Sequence, residues 1–398
     1  MALCYAAFTV YAGLLVVFSA HEDRAWAVWG GGSYAIATLL LRFGRRWWPG
    51  LAVALGGGLV APFLWLVTRA QDTAEVRVIG RSAAHLLKYG TPYLPASQLS
   101  NWTAYNPYLP VMEIFGLPRS AGLHGILGDP RVWTSLATLV LAAMAFAIVS
   151  PHGVRACRGC RQHVARLTVL SVASPVIAFP LALGITDPPL IALICLTLAC
   201  VSRGWLIRAG IAIAAACAMK YTAWPVVPVL AVMLWVRYAP RAASRFTAIS
   251  VGSAGMLALL AAPEAMAQPD SLMQNTVAFP LGLTRHKTPA ASPLPGHLLA
   301  SLGPAGHTAA VAAMVVAGLA FAAWLLLRPP KTAQAVAWRL AVGYAAMFTL
   351  APATRFGYFA YPLCLLGWLA LTDPSPLRAR GLEAGPLLAR LRQRLTGG

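Results

Sequence analysis

The sequence predicts an all-α polytopic membrane protein of about twelve transmembrane helices. Three observations carry this. The 398-residue chain is 59% apolar and only 11% charged, whereas a soluble domain carries roughly a quarter charged residues. Its mean hydropathy is positive. Apolar runs near the ~20 residues that cross a bilayer recur along the whole length.

Taken in order, the predicted spans are about 2–20, 25–41, 47–68, 131–150, 167–185, 188–202, 206–219, 221–236, 246–262, 307–327, 339–352 and 356–371. Met1 is followed by no basic region, so the first span reads as a retained helix rather than a cleaved leader. With the N-terminus inside, twenty of the thirty-one Lys and Arg residues fall on inner turns and the tail. Of the eleven acids, only Asp373 and Glu383 join them. Basic excess on cytoplasmic turns is the usual orientation signal. The expected location is therefore the cell membrane, multi-pass, with both termini cytoplasmic. The net charge of +20 then sets topology and meets anionic headgroups, and no nucleic-acid partner is needed to explain it.

This orientation leaves one multi-span domain, 1–371, with two long outer loops at about 69–131 and 263–307. A basic cytoplasmic tail follows at 372–398. The polar mass lies outside, which argues against work on cytosolic nucleotides, and no Walker-type loop, Rossmann fingerprint or nucleophile elbow occurs.

The first outer loop holds four of the eleven acids. Within it, Ala74 to Lys88 has helical spacing, with Val76, Ile79, Ala83, Leu86 and Leu87 on one face. That predicts an amphipathic interfacial helix, ended by Gly90 and Pro92. Tyr93, Trp102, Tyr105 and Tyr108 then suit the headgroup level. The second loop is rich in Pro and Gly and carries Arg285-His286-Lys287.

Several residues in this pattern are candidates for chemistry. Asp72 and Glu75, at i and i+3, share a helix face if the helix has begun. Either serves as a general base on a sugar hydroxyl within hydrogen-bond reach, or simply as an acid complementing the helix dipole. Arg285, His286 and Lys287, and Arg355 at the outer end of the last span, suit a phosphate through charge-assisted hydrogen bonds; headgroup contact and snorkelling are their plainer roles. Asp187, before Pro188, is a turn signal and also an ionisable group near the bilayer. Lys220 joins two spans, where a turn lysine snorkels. Cys157-Arg-Gly-Cys160, with His152 and His163 nearby, has a zinc-like spacing, but its arginines disfavour a cation. No metal or other cofactor is expected.

At these residues the chain resembles the polytopic GT-C glycosyltransferases, particularly the GT87-type mannosyltransferases of actinobacteria. Three places carry the likeness, covering most of 70–230. Glu75-Val-Arg-Val-Ile79, Ala83-Ala-His-Leu-Leu87 and Gly90-Thr-Pro-Tyr93 are similar to that family's acid followed by "A..LL..G..PY". Tyr105-Asn-Pro-Tyr108 is like its aromatic-Pro motif. Arg208-Ala-Gly210 through Lys220-Tyr-Thr-Ala-Trp-Pro225 is like its "AG…A..K..P" helix pair. By this likeness Glu75 stands where the family has its catalytic Asp, with Asp72 one turn earlier as the competing choice.

The resemblance implies a GT-C-like fold and a polyprenyl-phosphate sugar donor, with mannose as the sugar. It also implies a glycolipid or glycan acceptor at the outer face, among membrane lipids, and an inverting transfer with one carboxylate as base. The alternative is a twelve-span transporter or lipid flippase, in which repeated halves and mid-span ionisable groups are common; the ionisable groups here cluster at the outer ends. A third reading is a membrane scaffold without chemistry, in which Asp72 and Glu75 tolerate substitution.

Overall fold

The computed structural model describes residues 1–18, 21–69, 71–150 and 158–372. The tail from 373, and most of the motif containing His152 and Cys157, lie outside the described residues. Every regular element among the described residues is helical.

The chain opens with α1 (Ala2–Phe18) packed along α2 (His21–Phe43). The third predicted span is one helical rod, α3 (Trp48–Leu55) and α4 (Ala61–Thr68), joined by a π-helical turn over Gly56–Val60. Three consecutive glycines there let the backbone widen, and the buried Trp26 indole N–H donates to the Gly58 carbonyl at 2.7 Å. A π-turn shifts its carbonyls from i+4 to i+5 partners, as the Ala61 amide on the Gly56 carbonyl shows, and the indole adds a bond from outside the helix.

The first loop segment begins with α5 (Ala74–Tyr89). Its ends are the predicted ones. Thr73 accepts from the Val76 amide, and Gly90 closes the helix in the left-handed region at φ 70°, where a side chain is strained. Val76, Ile79 and Ala83 are buried as the spacing requires, but Leu87 is 59% exposed. After α6 (Leu117–Ser120), Asp129 caps α7 (Pro130–Val149). The aromatic residues expected at headgroup level are instead mostly interior. Tyr93, Tyr105 and Tyr108 are buried because they weld the loop to itself and to its neighbour. Tyr93 donates to the Tyr108 carbonyl at 2.9 Å, and Tyr105 stacks on Phe279 with ring centroids 4.4 Å apart. Trp102 alone of the four stays exposed.

α8 (Arg158–Val172) and α9 (Pro175–Leu183) meet at a 63° bend, where Pro175 cannot donate to the preceding turn. Next comes α10 (Asp187–Ser202), buried from Asp187 to Val201. It contacts α7, α9, α11 (Leu206–Cys217), and two later helices, α18 (Ala333–Leu350) and α19 (Ala360–Thr372). Its all-round apolar sequence is what a central pillar requires. The remaining long helices are α12 (Val226–Arg237), α13 (Pro240–Ala261) and α17 (Pro304–Leu327). Between α13 and α17 the second loop segment carries the short helices α14 (Pro263–Ala267), α15 (Pro269–Met273) and α16 (Pro295–Ala300).

Each of the twelve predicted spans overlaps helical residues, but 167–185 straddles the bend between α8 and α9. Four of these are long and apolar enough to cross a membrane: Trp48–Thr68, Pro130–Val149, Pro240–Ala261 and Pro304–Leu327. The bent pair of α8 and α9 makes five if it is one span. The expected twelve is thus reached only in part by length. A helix such as Asp187–Ser202, with 16 residues, rises only ~24 Å, short of a ~30 Å hydrocarbon core.

Two stitches hold the loop segments over the helix ends. The Asn275 side-chain oxygen accepts from the Asn106 amide at 2.8 Å. Thr354 pairs with Ala291 in a parallel bridge, its amide donating to the Ala290 carbonyl at 2.9 Å and its carbonyl accepting from Ser292 at 3.0 Å. The second stitch fixes the backbone one residue before Arg355.

Candidate active site

The two stitched segments, the turn between α11 and α12, Met314 of α17 and the end of α18 line a cavity of about 320 Å³. Its charged lining is Glu75, Lys220 and Arg355, and its aromatic lining includes Tyr105, Tyr108 and Tyr358. Four residues singled out in the sequence, scattered from 75 to 355, meet here.

Glu75 lies in the first turn of α5. One carboxylate oxygen accepts from Arg355 at 3.1 Å. The other faces Thr186, accepting from its amide at 3.3 Å and its hydroxyl at 3.5 Å. Thr186 reaches α5 because Gly184 ends α9 at φ 85°; a side chain there would run into Val76 and come within 2.9 Å of Arg131. The turn therefore lies directly against the start of α5. Glu75 is largely shielded, with 18% of its side chain exposed, while Arg355 is 37% exposed.

Lys220 is held differently from a snorkelling lysine. Only 13% of its side chain is exposed, and Asp187 takes its ammonium at 2.5 Å. The ammonium also lies 5.6 Å from the Tyr108 ring centroid and 5.5 Å from that of Tyr358, within reach of cation–π attraction. Burial disfavours its charge, but Asp187, Tyr358 and Glu75 together outweigh burial and raise its pKa. Asp187 sits behind the cavity wall, where Tyr361 donates to it at 2.8 Å. Tyr361 shares a 2.7 Å hydrogen bond with Thr222, whose carbonyl accepts from Tyr344 at 2.7 Å. The ammonium is thus fixed by a buried chain running from α10 to α18 and α19. Tyr108 is buried, and its pKa is pushed well up by burial and by the Glu75 charge, so it stays a neutral phenol on the cavity wall.

Asp72 faces elsewhere. It pairs with Arg131 at 3.1 Å and more loosely with Arg119 at 3.9 Å. Arg131, 1% exposed, is also gripped by Asp129 at 2.7 Å and donates to the Gln71 carbonyl at 3.1 Å. This cluster joins the start of α5 to the start of α7. Arg285 and Lys287 are exposed and outside the cavity lining, although Thr288, Pro289 and Ala290 belong to it. His286 approaches Tyr105 with ring centroids 6.5 Å apart. Cys160 is disulfide-bonded, and among the described residues no three His, Cys, Asp or Glu side chains gather as metal ligands.

Glu113 was not singled out in the sequence. It is 0% exposed, accepts from Asn106 at 2.8 Å, and has one oxygen without a partner. Burial raises its pKa to about 8, against the opposing pull of Asn106 and Arg81. The signal was available: an acid inside Pro-Val-Met-Glu-Ile-Phe has only apolar neighbours. Thr186 and Tyr361, by contrast, carry no mark in the sequence that separates them from packing residues. No family model, curated protein or solved structure matches this chain.

Proposed function

We propose that the chain is a GT-C-like membrane glycosyltransferase. In this reading it moves a sugar, mannose by the resemblance, from a polyprenyl-phosphate donor to a glycolipid or glycan acceptor at the outer face of the cell membrane. All twelve predicted spans then belong to the membrane domain, with both termini cytoplasmic. The observation that supports the reading best is one cavity holding a shielded carboxylate, two cations and an aromatic wall.

The chemistry asks for little more. The acceptor hydroxyl oxygen attacks the anomeric carbon opposite the phosphate, and its proton passes to Glu75. The bond from the anomeric carbon to the phosphate oxygen breaks, and its electron pair leaves on that oxygen, so configuration inverts. Lys220 and Arg355 then bind the growing phosphate charge. Arg355 begins paired to Glu75. Its turn toward the phosphate leaves the carboxylate held by Thr186 and free to take the proton. Arg285, His286 and Lys287 act, in this account, on the approaching phosphate rather than in the cavity. Tyr105 offers a flat apolar face to a sugar ring.

The buried Asp187–Lys220 pair also suits an ion-coupled transporter or lipid flippase, where intramembrane ionisable pairs form relays. Incubating membranes with radiolabelled polyprenyl-phosphate mannose separates the two. Label moving to a membrane glycan or glycolipid supports the transferase. Lipid or solute flux in liposomes, with no transfer, supports the transporter.

A further inference from the structure

Four helices crowd their charge at one end. α12, α13, α17 and α18, with the turns joining α12 to α13 and α17 to α18, hold six cations (Arg237, Arg241, Arg245, Arg328, Lys331 and Arg339) and no Asp or Glu. α12 packs against the other three helices, and Arg237 at its end donates to the Lys331 carbonyl at 3.0 Å. Arg339 reaches back to the Arg328 carbonyl and lies over the Trp324 ring, 4.6 Å from its centroid. Two guanidinium groups thus grip one short turn by its backbone. Carbonyls satisfy donors but supply no counter-charge. Among the described residues none of the six cations pairs with a carboxylate, and the Nε of Arg339 is buried without an acceptor. Like charges gathered in this way repel one another. The chain's own tail, 373–398, is itself basic, with five arginines against two acids, and brings no net counter-charge.

Apolar side chains adjoin these cations. Trp235 and Val236 precede Arg237, Leu326 and Leu327 precede Arg328, and Trp338 precedes Arg339; all five are exposed, Leu327 by 81%. We propose that this turn binds an acidic phospholipid, its phosphate among Arg237, Arg328, Lys331 and Arg339 and its acyl chains along Leu326, Leu327 and Trp235. Charge complementarity selects the anion, since a guanidinium takes phosphate in a forked pair of hydrogen bonds and basic groups at a membrane surface attract acidic lipid. The exposed apolar residues select lipid over a soluble phosphate, and exposed tryptophan beside arginine is the composition of a headgroup boundary. The inference takes α13 and α17 as crossing the membrane, which their length and composition allow, and it is independent of sugar transfer. The site is also separate from the cavity. Phe348 of α18 lines the cavity, and Arg339 lies ~14 Å back along the same helix axis.

The test is native mass spectrometry of the full-length protein in an uncharged detergent, titrated with phosphatidylglycerol or, separately, with phosphatidylcholine. Arg328→Gln/Lys331→Gln removes two charges at exposed positions and keeps the gripped carbonyls in place. Arg45→Gln/Arg46→Gln removes the same charge from exposed positions on a different basic turn. The wild type is expected to retain phosphatidylglycerol in preference to phosphatidylcholine. The first pair is expected to weaken phosphatidylglycerol about tenfold or more, and the second to leave it close to the wild-type value. Glycerol phosphate in excess is expected not to displace the lipid. If the first pair unfolds at lower temperature than the wild type, Lys331→Gln alone is compared with Arg46→Gln alone, with the same ranking expected. Equal loss in the two pairs would mean charge attraction without a site, and no loss in the first pair would mean that the turn holds no lipid. Equal retention of phosphatidylcholine would remove the role of charge, and displacement by glycerol phosphate would assign a soluble anion. Each of these overturns the proposal.

Discussion

At the scale of single residues, the two carboxylates that the sequence could not separate have different work. Asp72 is consumed by Arg131 and lies in a cluster joining α5 to α7, whereas Glu75 opens onto the cavity. Asp72→Asn is therefore expected to lower stability by about 1–3 kcal/mol, the range for removing a charge-assisted hydrogen bond from a buried partner. Thermal unfolding checks it. An unchanged unfolding temperature would remove the structural role given to Asp72. Glu113 makes a prediction in pH. Its folded pKa, about 8, lies above the ordinary carboxylate value, so the folded state holds its proton more tightly than the unfolded state. Stability contributed by this group is full below the unfolded pKa and falls as pH rises from there through about 8. Glu113→Gln cannot ionise, so its stability relative to wild type should rise between pH 5 and pH 9 by an amount on the order of 4 kcal/mol. Parallel pH profiles would contradict it.

At the scale of elements, α5 was legible because its signals are local. Thr73, the apolar positions of one face and Gly90 all act within a few residues of the helix. The burial of Tyr105 was not legible, since it depends on Phe279 and on Asn275 meeting Asn106 across 169 residues, and neither was that of Tyr93, which packs with Ala262 and Ala265. The same holds for the site. Glu75, Lys220, Arg355, Asp187 and Tyr105 stood out as rare charges or motif aromatics in an apolar chain. That Glu75 faces Arg355 and Asp187 faces Lys220 follows only from helix packing. The joint of α9, α10 and α5 rests on Gly184. Gly184→Ala meets both a strained φ and the side chains of Val76 and Arg131, and should cost about 1–3 kcal/mol while loosening the Thr186 contact to Glu75. Wild-type stability with wild-type transfer would show that this close approach is unnecessary.

At the scale of the whole molecule, the basic turns and the two long loop segments predict one orientation. In a Cys4→Ser background, cysteine introduced at Ser100 or Leu302, both exposed, should react with a membrane-impermeant maleimide on intact cells. Cysteine introduced at Arg241 should react only after permeabilisation. The opposite pattern would turn the molecule over and put the cavity on the cytoplasmic side. The central claim is that Glu75 is the base of a sugar transfer. Its most direct test is the initial rate of label transfer from polyprenyl-phosphate mannose in membranes carrying equal amounts of folded wild type, Glu75→Gln or Asp72→Asn. Glu75→Gln is predicted to lose about 10²-fold or more, and Asp72→Asn to stay within a few-fold of wild type once matched for folded protein. A Glu75→Gln protein that inserts, folds and transfers at the wild-type rate would contradict the account.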